Sequence, residues 1–343
     1  MKTRLRTGMA GIAALALMVG LVGPASAAIL SATPSTISGA TLDITLATPA
    51  SPLGVSPEVY YDDATGTYYL YPTSLQPSAY TSTDGVSWTK ATDVALPPGF
   101  DYSIVRMGPG SYRMYYSGVS FSAPPTVQCS KQKKQLYYAT SSDLLHWTQQ
   151  PGPIFDDVGC GVPVVITKPD GSYLLFYNTI TSQHGIHMAT SPDGLTWTKR
   201  DGLVADTPDL VDPAPLAMSD GTYLMVTSNR GSGGSLQQLE ILSSPDGLTW
   251  TKRAAPLYAP KGARALDPVL KLVNGQLRVW FSYVVGSDDQ QARISSAVLT
   301  LGKAATVAKP GAPCTKAGAK ATYKGKKLVC TKVKGSLVWV VRR

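Results

Sequence analysis

An all-β fold is predicted for this chain of 343 residues by its composition, its turn signals and its internal repeats. The sequence holds 18 Tyr, 32 Gly and 26 Pro, and only 15% of its residues are charged. Aromatic residues favour strands, and Gly and Pro favour tight turns. The apolar fraction of 43% excludes an intrinsically disordered chain, and the length excludes a mini-protein held together by disulfides alone.

A seven-residue box that begins with Ser and ends with Trp occurs four times, at 82–88, 141–147, 191–197 and 244–250. Successive box tryptophans are separated by 59, 50 and 53 residues. We interpret the boxes as structural, because an Asp in a tight turn accepts backbone N–H bonds and a Trp packs well between neighbouring units. They are similar to the sialidase Asp box, which has one more residue between its Asp and its Gly.

A second element, a turn glycine followed by an aromatic strand, occurs five times. Its glycines are Gly66, Gly110, Gly171, Gly221 and Gly275. Together the two elements define five units of about 50 residues, each with four antiparallel strands, and such units repeated radially form a β-propeller. We therefore predict a five-bladed β-propeller over about 41–302. The fifth unit lacks a Trp box, so the segment Thr41–Leu46 is expected to complete it and close the ring.

The ends of the chain differ from the repeats. Residues 1–27 combine a basic start, an apolar stretch and Ala25-Ser26-Ala27, which predicts a cleaved signal peptide, with an uncleaved anchor as the alternative. The predicted domains are a signal peptide at 1–27, the propeller at 28–302, a linker at 303–312 and a small basic β module at 313–343. A secreted or cell-surface protein is expected.

Positive charge is concentrated in the tail. Residues 303–343 hold eleven Lys or Arg and no carboxylate, whereas residues 28–302 hold 17 basic and 22 acidic residues. The propeller is therefore not expected to bind nucleic acid. The tail predicts contact with an anionic cell-wall polymer or glycan, and solubility of a surface module explains its charge equally well. It resembles small Cys-containing C-terminal modules of exported actinobacterial proteins, a resemblance that implies no activity.

Four cysteines in an exported chain are expected to pair. Proximity in the sequence favours Cys314–Cys330 in the tail and Cys129–Cys160 in the second unit, out of three connectivities. The second pair is expected to pin the insertion Ala123–Gln135 beside one mouth of the propeller. No Cys or His spacing indicates a zinc site.

Candidate catalytic residues emerge when the inner strands are aligned on their turn glycines. The aligned positions are Ser56, Asp101, Val162, Asp212 and Asp267. Three of the five blades thus place an aspartate where the inner strand begins, and inner strands of a propeller converge on one channel. An Asp before Pro also caps turns, so the alternative is that these aspartates have only a structural role.

These Asp-Pro strand starts, the Asp-Gly-x-Tyr turns and the Trp boxes resemble the five-bladed propeller glycosidases: arabinanases, β-xylosidases, levansucrases and invertases. In that group a base or nucleophile, a pKa modulator and a general acid lie on blades one, three and four. The resemblance implies these roles, in order, for Asp101, Asp212 and Asp267, which lie on blades two, four and five. A one-blade rotation of the chain reconciles the two arrangements.

The general acid of that group is usually Glu, so we keep Glu58 and Glu240 as second-choice acids. Glu58 follows the aligned Pro57 and is expected to point to the opposite face of its strand. Glu240 aligns with His187 in a third strand.

The predicted function is a secreted glycoside hydrolase that cleaves a furanose- or xylose-containing glycan, with a polysaccharide or oligosaccharide as substrate. Hydrolysis needs no organic cofactor, although the sequence is compatible with a structural calcium ion. We expect the protein to be a monomer. One alternative is a non-catalytic glycan-binding or cell-surface propeller. The other is a sialidase-like hydrolase, which needs an arginine cluster and a tyrosine nucleophile at one mouth. The first reading requires the three aspartates to face one cavity, with the catalytic pair roughly 5–10 Å apart.

Overall fold

The computed structural model describes residues 30–74, 76–118, 135–156, 161–179, 184–205, 209–231, 236–286, 288–303, 309–312, 314 and 316–342. These residues form five four-stranded sheets and one three-stranded sheet. One short helix, α1 (Pro34–Ser38), and one 3-10 turn, Asp289–Gln291, complete the regular structure of the described residues. The all-β prediction is confirmed.

Each four-stranded sheet is one propeller blade of antiparallel strands. Four blades follow sequence order from the channel outward, and in the fifth the first strand of the chain is outermost. The blades are β2 (Val55–Asp62), β3 (Thr67–Thr73), β4 (Tyr80–Ser82) and β5 (Thr89–Lys90); β6 (Phe100–Gly108), β7 (Ser111–Gly118), β8 (Gln135–Ser141) and β9 (Thr148–Gln149); β10 (Gly161–Thr167), β11 (Tyr173–Thr179), β12 (Gly185–Ser191) and β13 (Thr198–Lys199); β14 (Leu210–Ala217), β15 (Tyr223–Asn229), β16 (Leu239–Ser244) and β17 (Thr251–Lys252); and β18 (Ala263–Val273), β19 (Gln276–Val285), β20 (Arg293–Thr300) and β1 (Thr41–Thr45).

The inner strands form a closed ring. Strand β2 contacts β6, β6 contacts β10, β10 contacts β14, β14 contacts β18, and β18 returns to β2. The ring is sealed by β1, which pairs with β20 from Thr41↔Thr300 to Thr45↔Ser296. The N-terminal strand therefore completes the fifth blade, as its missing box predicts, and the five-bladed propeller is confirmed.

The Trp boxes hold neighbouring blades together. In the second box the Asp143 carboxylate accepts the N–H groups of Leu145 and His146 at 2.9 and 2.8 Å, which fixes the turn. Trp147 then packs edge-on against Tyr71 of the preceding blade, with ring centroids 6.4 Å apart. Trp197 on Tyr115 and Trp250 on Phe176 repeat the contact at 6.2 and 5.9 Å. These contacts between blades support the structural interpretation of the boxes.

The junction between the fourth and fifth blades is built differently. The aromatic position of the second strand is here Val226, and no Trp box faces it. The N-terminal segment fills the space instead, since Ile37 of α1 packs in the same buried cluster as Val226. Arg253 fastens this segment by donating to the carbonyl of Ala40 at 2.8 Å.

The C-terminal module is a separate sheet of β21 (Lys320–Tyr323), β22 (Lys326–Val333) and β23 (Ser336–Val341). A disulfide joins Cys314 to Cys330, as predicted, and Trp339 is buried beside it. Cys129 and Cys160 lie outside the described residues, as do most of the insertion Ala123–Gln135, the signal peptide and the middle of the linker. No helix in the described residues has the length and apolarity needed to cross a membrane.

Candidate active site

The five aligned inner-strand positions share one unusual backbone conformation. Ser56, Asp101, Val162, Asp212 and Asp267 have φ values of 44°, 58°, 51°, 57° and 49°. The register between first and second strands shifts across this position in every blade. A left-handed residue with a side chain costs about 1–2 kcal/mol, so each bulge is held by its surroundings. Strain of this kind, repeated at one end of a channel, is typical of functional sites.

Two of the aspartates reach across to the next blade. The Asp101 carboxylate accepts the N–H of Val162 at 3.0 Å, and the Asp267 carboxylate accepts the N–H of Ser56 at 3.0 Å. Both side chains are buried. Their carboxyl groups therefore lie at the inner edge of the ring, each fixed by the strained backbone of its neighbour.

Asp212 has the densest set of partners. The Asn178 side chain donates to its Oδ1 at 2.9 Å and accepts its backbone N–H at 3.1 Å, which locks the two residues face to face. The hydroxyl of Ser228 donates to Oδ2. The Asp267 carboxyl is near enough to Asp212 that the charge of Asp212 raises its pKa. Both oxygens of Asp212 are thus held as acceptors, one by Asn178 and the other by Ser228.

The electrostatics separate the roles of the carboxyls. Burial, together with the charges of Asp212 and Asp101, raises the pKa of Asp267 well above its usual range. Burial also raises the pKa of Asp212, but the hydrogen bonds from Ser228, Asp267 and Asn178 oppose that rise. Asp267 is therefore the carboxyl of this pair that holds its proton to the higher pH. A protonated carboxyl beside a carboxylate is the pairing that acid–base chemistry needs.

A small cavity of about 20 Å³ lies between the aspartates, lined by Asp101, Asp267, Ser56 and Val162 together with the residues that follow each of them. This volume accommodates about one water molecule. Two of the three predicted residues thus face one cavity, whereas the third, Asp212, does not line it.

The second-choice acids lie elsewhere. The expectation that Glu58 points to the opposite face of its strand is wrong. Its carboxylate accepts the N–H of Ile104 in the next blade at 3.0 Å. The reason is the bulge at Ser56, which interrupts the regular alternation of side chains just before Glu58. The Glu58 side chain therefore points toward the next blade, as those of Asp101 and Asp267 do. It lies one step further along the channel, where Lys271 donates to it at 2.9 Å.

Glu240 lies on the third strand of its blade, across from Thr227, in the position that His187 occupies opposite Tyr177. Its carboxylate is paired with Lys252 at 3.1 Å. The alignment with His187 is correct, and these contacts place Glu240 away from the aspartates.

Sequence reasoning missed the polar partners on the second strands. Asn178 and Ser228 each stand seven residues after the turn glycine of their blade, as does Thr73, which accepts the N–H of Asp101 at 2.9 Å. An alignment of the second strands on those glycines would have brought these residues together. The signal was present, but it lay on strands that do not face the channel directly.

Two other expectations bear on this site. Among the described residues, no group of three or more His, Cys, Asp or Glu side chains is arranged to hold a metal ion. A sialidase-like site would need an arginine cluster, and the described lining of the small cavity includes none. Its one tyrosine, Tyr102, has its hydroxyl engaged with the carbonyl of Gly99 at 2.9 Å.

Residues 103–266 match the model of the glycosyl hydrolases family 32 N-terminal domain. The match includes Asp212 and ends just short of Asp267, and it begins two residues after Asp101. Among curated protein sequences, none matches the chain.

Solved structures share the fold across most of the chain. An α-L-arabinanase of Cellvibrio cellulosa, solved with arabinohexaose, is 14% identical, with 84% of this chain and 96% of that chain covered at a TM-score of 0.52. The Bacillus subtilis arabinanase is 15% identical, with 76% and 96% covered at 0.54. The Bombyx mori GH32 β-fructofuranosidase is 12% identical, with 89% and 67% covered at 0.55. The resemblance that the Asp-Pro strand starts and turn motifs carry is confirmed: this chain has the five-bladed propeller of the arabinanase and family 32 glycosidases.

Proposed function

We propose that this protein is a glycoside hydrolase that cleaves an arabinan, xylan or fructan, with Asp267 as general acid and Asp101 as base or nucleophile. The observation that carries the proposal is the set of three buried aspartates at the same bulged position of their inner strands, in which burial and the charges of Asp212 and Asp101 raise the pKa of Asp267. Glycoside cleavage requires one protonated carboxyl for the leaving oxygen and one carboxylate on the other side of the bond. Asp212 supplies the nearby negative charge that keeps the proton on Asp267.

The role of Asp212 follows from its contacts. Asn178 donates to one of its oxygens and Ser228 to the other, so Asp212 is held in place and is not available to attack a sugar. The Asp101 carboxylate accepts the N–H of Val162 and lines the small cavity, which has room for a water molecule. This division of labour assigns one chemical task to each carboxyl.

The test is sugar release by the purified mature protein from arabinan, xylan and a fructan, with Asp101→Asn and Asp267→Asn alongside. Asp43→Asn, an exposed aspartate on β1, is the matched control. Release that both site variants abolish and the control retains supports the proposal. Glycan binding without release from any polymer, in a folded wild-type protein, replaces it with the non-catalytic binding propeller.

The protein is proposed to act outside the cell as a monomer, with its basic module against an anionic polymer. Support comes from exposed lysines on the three-stranded sheet, among them Lys320, Lys326, Lys327 and Lys332, and from the absence of any acid in residues 303–343. Cosedimentation of the mature protein with anionic cell wall should fall steeply with added salt. Binding that ignores salt, or that a chain ending at residue 303 retains, would contradict this role for the module.

A further inference from the structure

The channel widens on the side away from the aspartates into a cavity of about 490 Å³. Pro268 lines both this cavity and the small one beside Asp267, so the two lie in sequence along one axis. From here the larger cavity extends toward the ends of the inner strands, as far as Tyr61 and Val273. Its volume is that of a typical small-ligand site. The proposed hydrolysis does not use it.

The cavity has two unlike walls. Blades three and four contribute aliphatic side chains, among them Val164, Ile166 and Leu216. Blades five, one and two contribute two ion pairs and the aromatic ring of Tyr60. One apolar wall facing a few polar groups at fixed positions is the usual construction of a small-molecule site.

The inner ion pair joins three blades. Lys271 donates to Glu58 at 2.9 Å, and the same carboxylate oxygen accepts the N–H of Ile104. The Glu58 side chain is only 5% exposed, whereas that of Lys271 is 27% exposed. The ammonium has three donors, and the carboxylate has a second oxygen, so the pair offers a donor and an acceptor side by side.

A second pair lies at the rim. Arg106 contacts Asp63 at 3.0 Å, with 39% and 71% of the two side chains exposed. Tyr60 lies between the pairs on β2 and lines the same cavity. The two cations and two carboxylates cancel, so the charged groups of the cavity have no net charge.

We infer that this cavity is a second binding site and that it takes a neutral sugar of one or two rings. A vicinal diol both donates and accepts hydrogen bonds, which matches the adjacent donor and acceptor of the Lys271–Glu58 pair. The ring of Tyr60 and the aliphatic wall suit the apolar C–H faces of a sugar. An ionic ligand would have to break one of the pairs and leave a charge unmatched.

This inference does not depend on the proposed hydrolysis, because the site shares no polar side chain with the aspartates. It predicts a binding event that persists when catalysis is removed. A glycan held at this mouth would lie on the side of the propeller opposite the cleaved bond.

Calorimetric titration with D-xylose, L-arabinose, D-fructose and xylobiose tests the inference. Glu58→Gln combined with Lys271→Met removes both charges together while keeping the side-chain size, and it should weaken binding of the best of these sugars at least tenfold. The matched control is Glu240→Gln with Lys252→Met, a pair of the same type with 4% and 26% exposed side chains on another face. The control should bind as the wild type does.

Two further measurements keep the outcome decisive. If the Glu58/Lys271 variant lacks a cooperative thermal transition, Arg106→Gln with Asp63→Asn at the exposed rim takes its place and should weaken binding several-fold. A crystal soaked in the sugar that binds best should show it beside Tyr60. Undiminished affinity in the folded variants, no binding of any of the four sugars, or a sugar bound only beside Asp101 would overturn the inference. Asp101→Asn should retain this binding even where it abolishes hydrolysis, so the two proposals fail separately.

Discussion

Burial and the charge of Asp212 raise the pKa of the Asp267 carboxyl well above its usual range, although the two residues belong to different blades and lie 55 residues apart in the sequence. Each stands on a left-handed bulge at the start of its inner strand. Because burial disfavours two neighbouring negative charges, the pair retains a proton at a pH where an exposed aspartate would lose it. Five predictions follow from this pair and from the fold that supports it.

Asp267→Asn should lower kcat on a natural glycan by about 10²–10⁴, because an amide cannot protonate the leaving oxygen. On an aryl glycoside with an acidic phenol the loss should be much smaller, since that leaving group needs no proton. Asp101→Asn should slow both substrates alike. The measurement is kcat for a series of leaving groups. Equal losses for Asp267→Asn across the series would assign the acid to another residue.

The unfolding free energy should fall as pH rises above about 4, the ordinary pKa of an unfolded Asp. The pKa of Asp267 is raised in the folded state, so its contribution is complete below the unfolded pKa and is lost as pH rises through the folded one. Thermal unfolding from pH 4 to 8 should show this slope in the wild type and a flatter one in Asp267→Asn. The same slope in both proteins would show that another group is responsible.

At lower pH the opposite trend should appear. The N–H groups of Thr196 and Leu195 lower the pKa of Asp193 to about 2, so its contribution is present above the unfolded pKa and is lost as pH falls through the folded one. Asp193→Asn should reduce the loss of stability between pH 4 and 2. An unchanged loss would separate the box turn from acid unfolding.

Asn178→Ala should lower kcat about tenfold with little change in KM, because Asn178 positions Asp212 and touches no substrate. Losing its N–H donor raises the pKa of Asp212, so the acidic limb of the pH–rate profile should move to higher pH. Ser117→Ala is the control, since Ser117 also stands seven residues after the turn glycine of its blade and its buried hydroxyl has no partner in the described structure. A kcat change with no movement of the profile would leave Asn178 a structural role alone.

Ile37→Ala should reduce the free energy of unfolding by about 2–4 kcal/mol, because Ile37 is 1% exposed in the cluster that replaces the fifth Trp box. Ser38→Ala, on the exposed side of α1, should change it by less than about 0.5 kcal/mol. Urea denaturation of both variants measures the difference. A neutral Ile37→Ala would mean that β1 alone closes the ring.

The amino-acid sequence by itself determined the repeats, and with them the architecture. The box turns and the turn glycines are short-range signals, because each depends on hydrogen bonds or φ values within a few residues. Counting back from the glycines therefore found all five bulged positions. The absent fifth box likewise predicted that the N-terminal strand pairs with the last blade.

The tertiary structure alone decided which side chains meet. Whether Asp267 contacts Asp212, whether Asn178 holds it, and where Glu58 points all depend on the approach of one blade to the next. That approach is set by the bulge, which shifts strand register and changes side-chain direction, and simple alternation cannot anticipate it. The wider cavity on the side of the channel away from the aspartates is likewise formed where five inner strands converge, so no local sequence pattern predicts it.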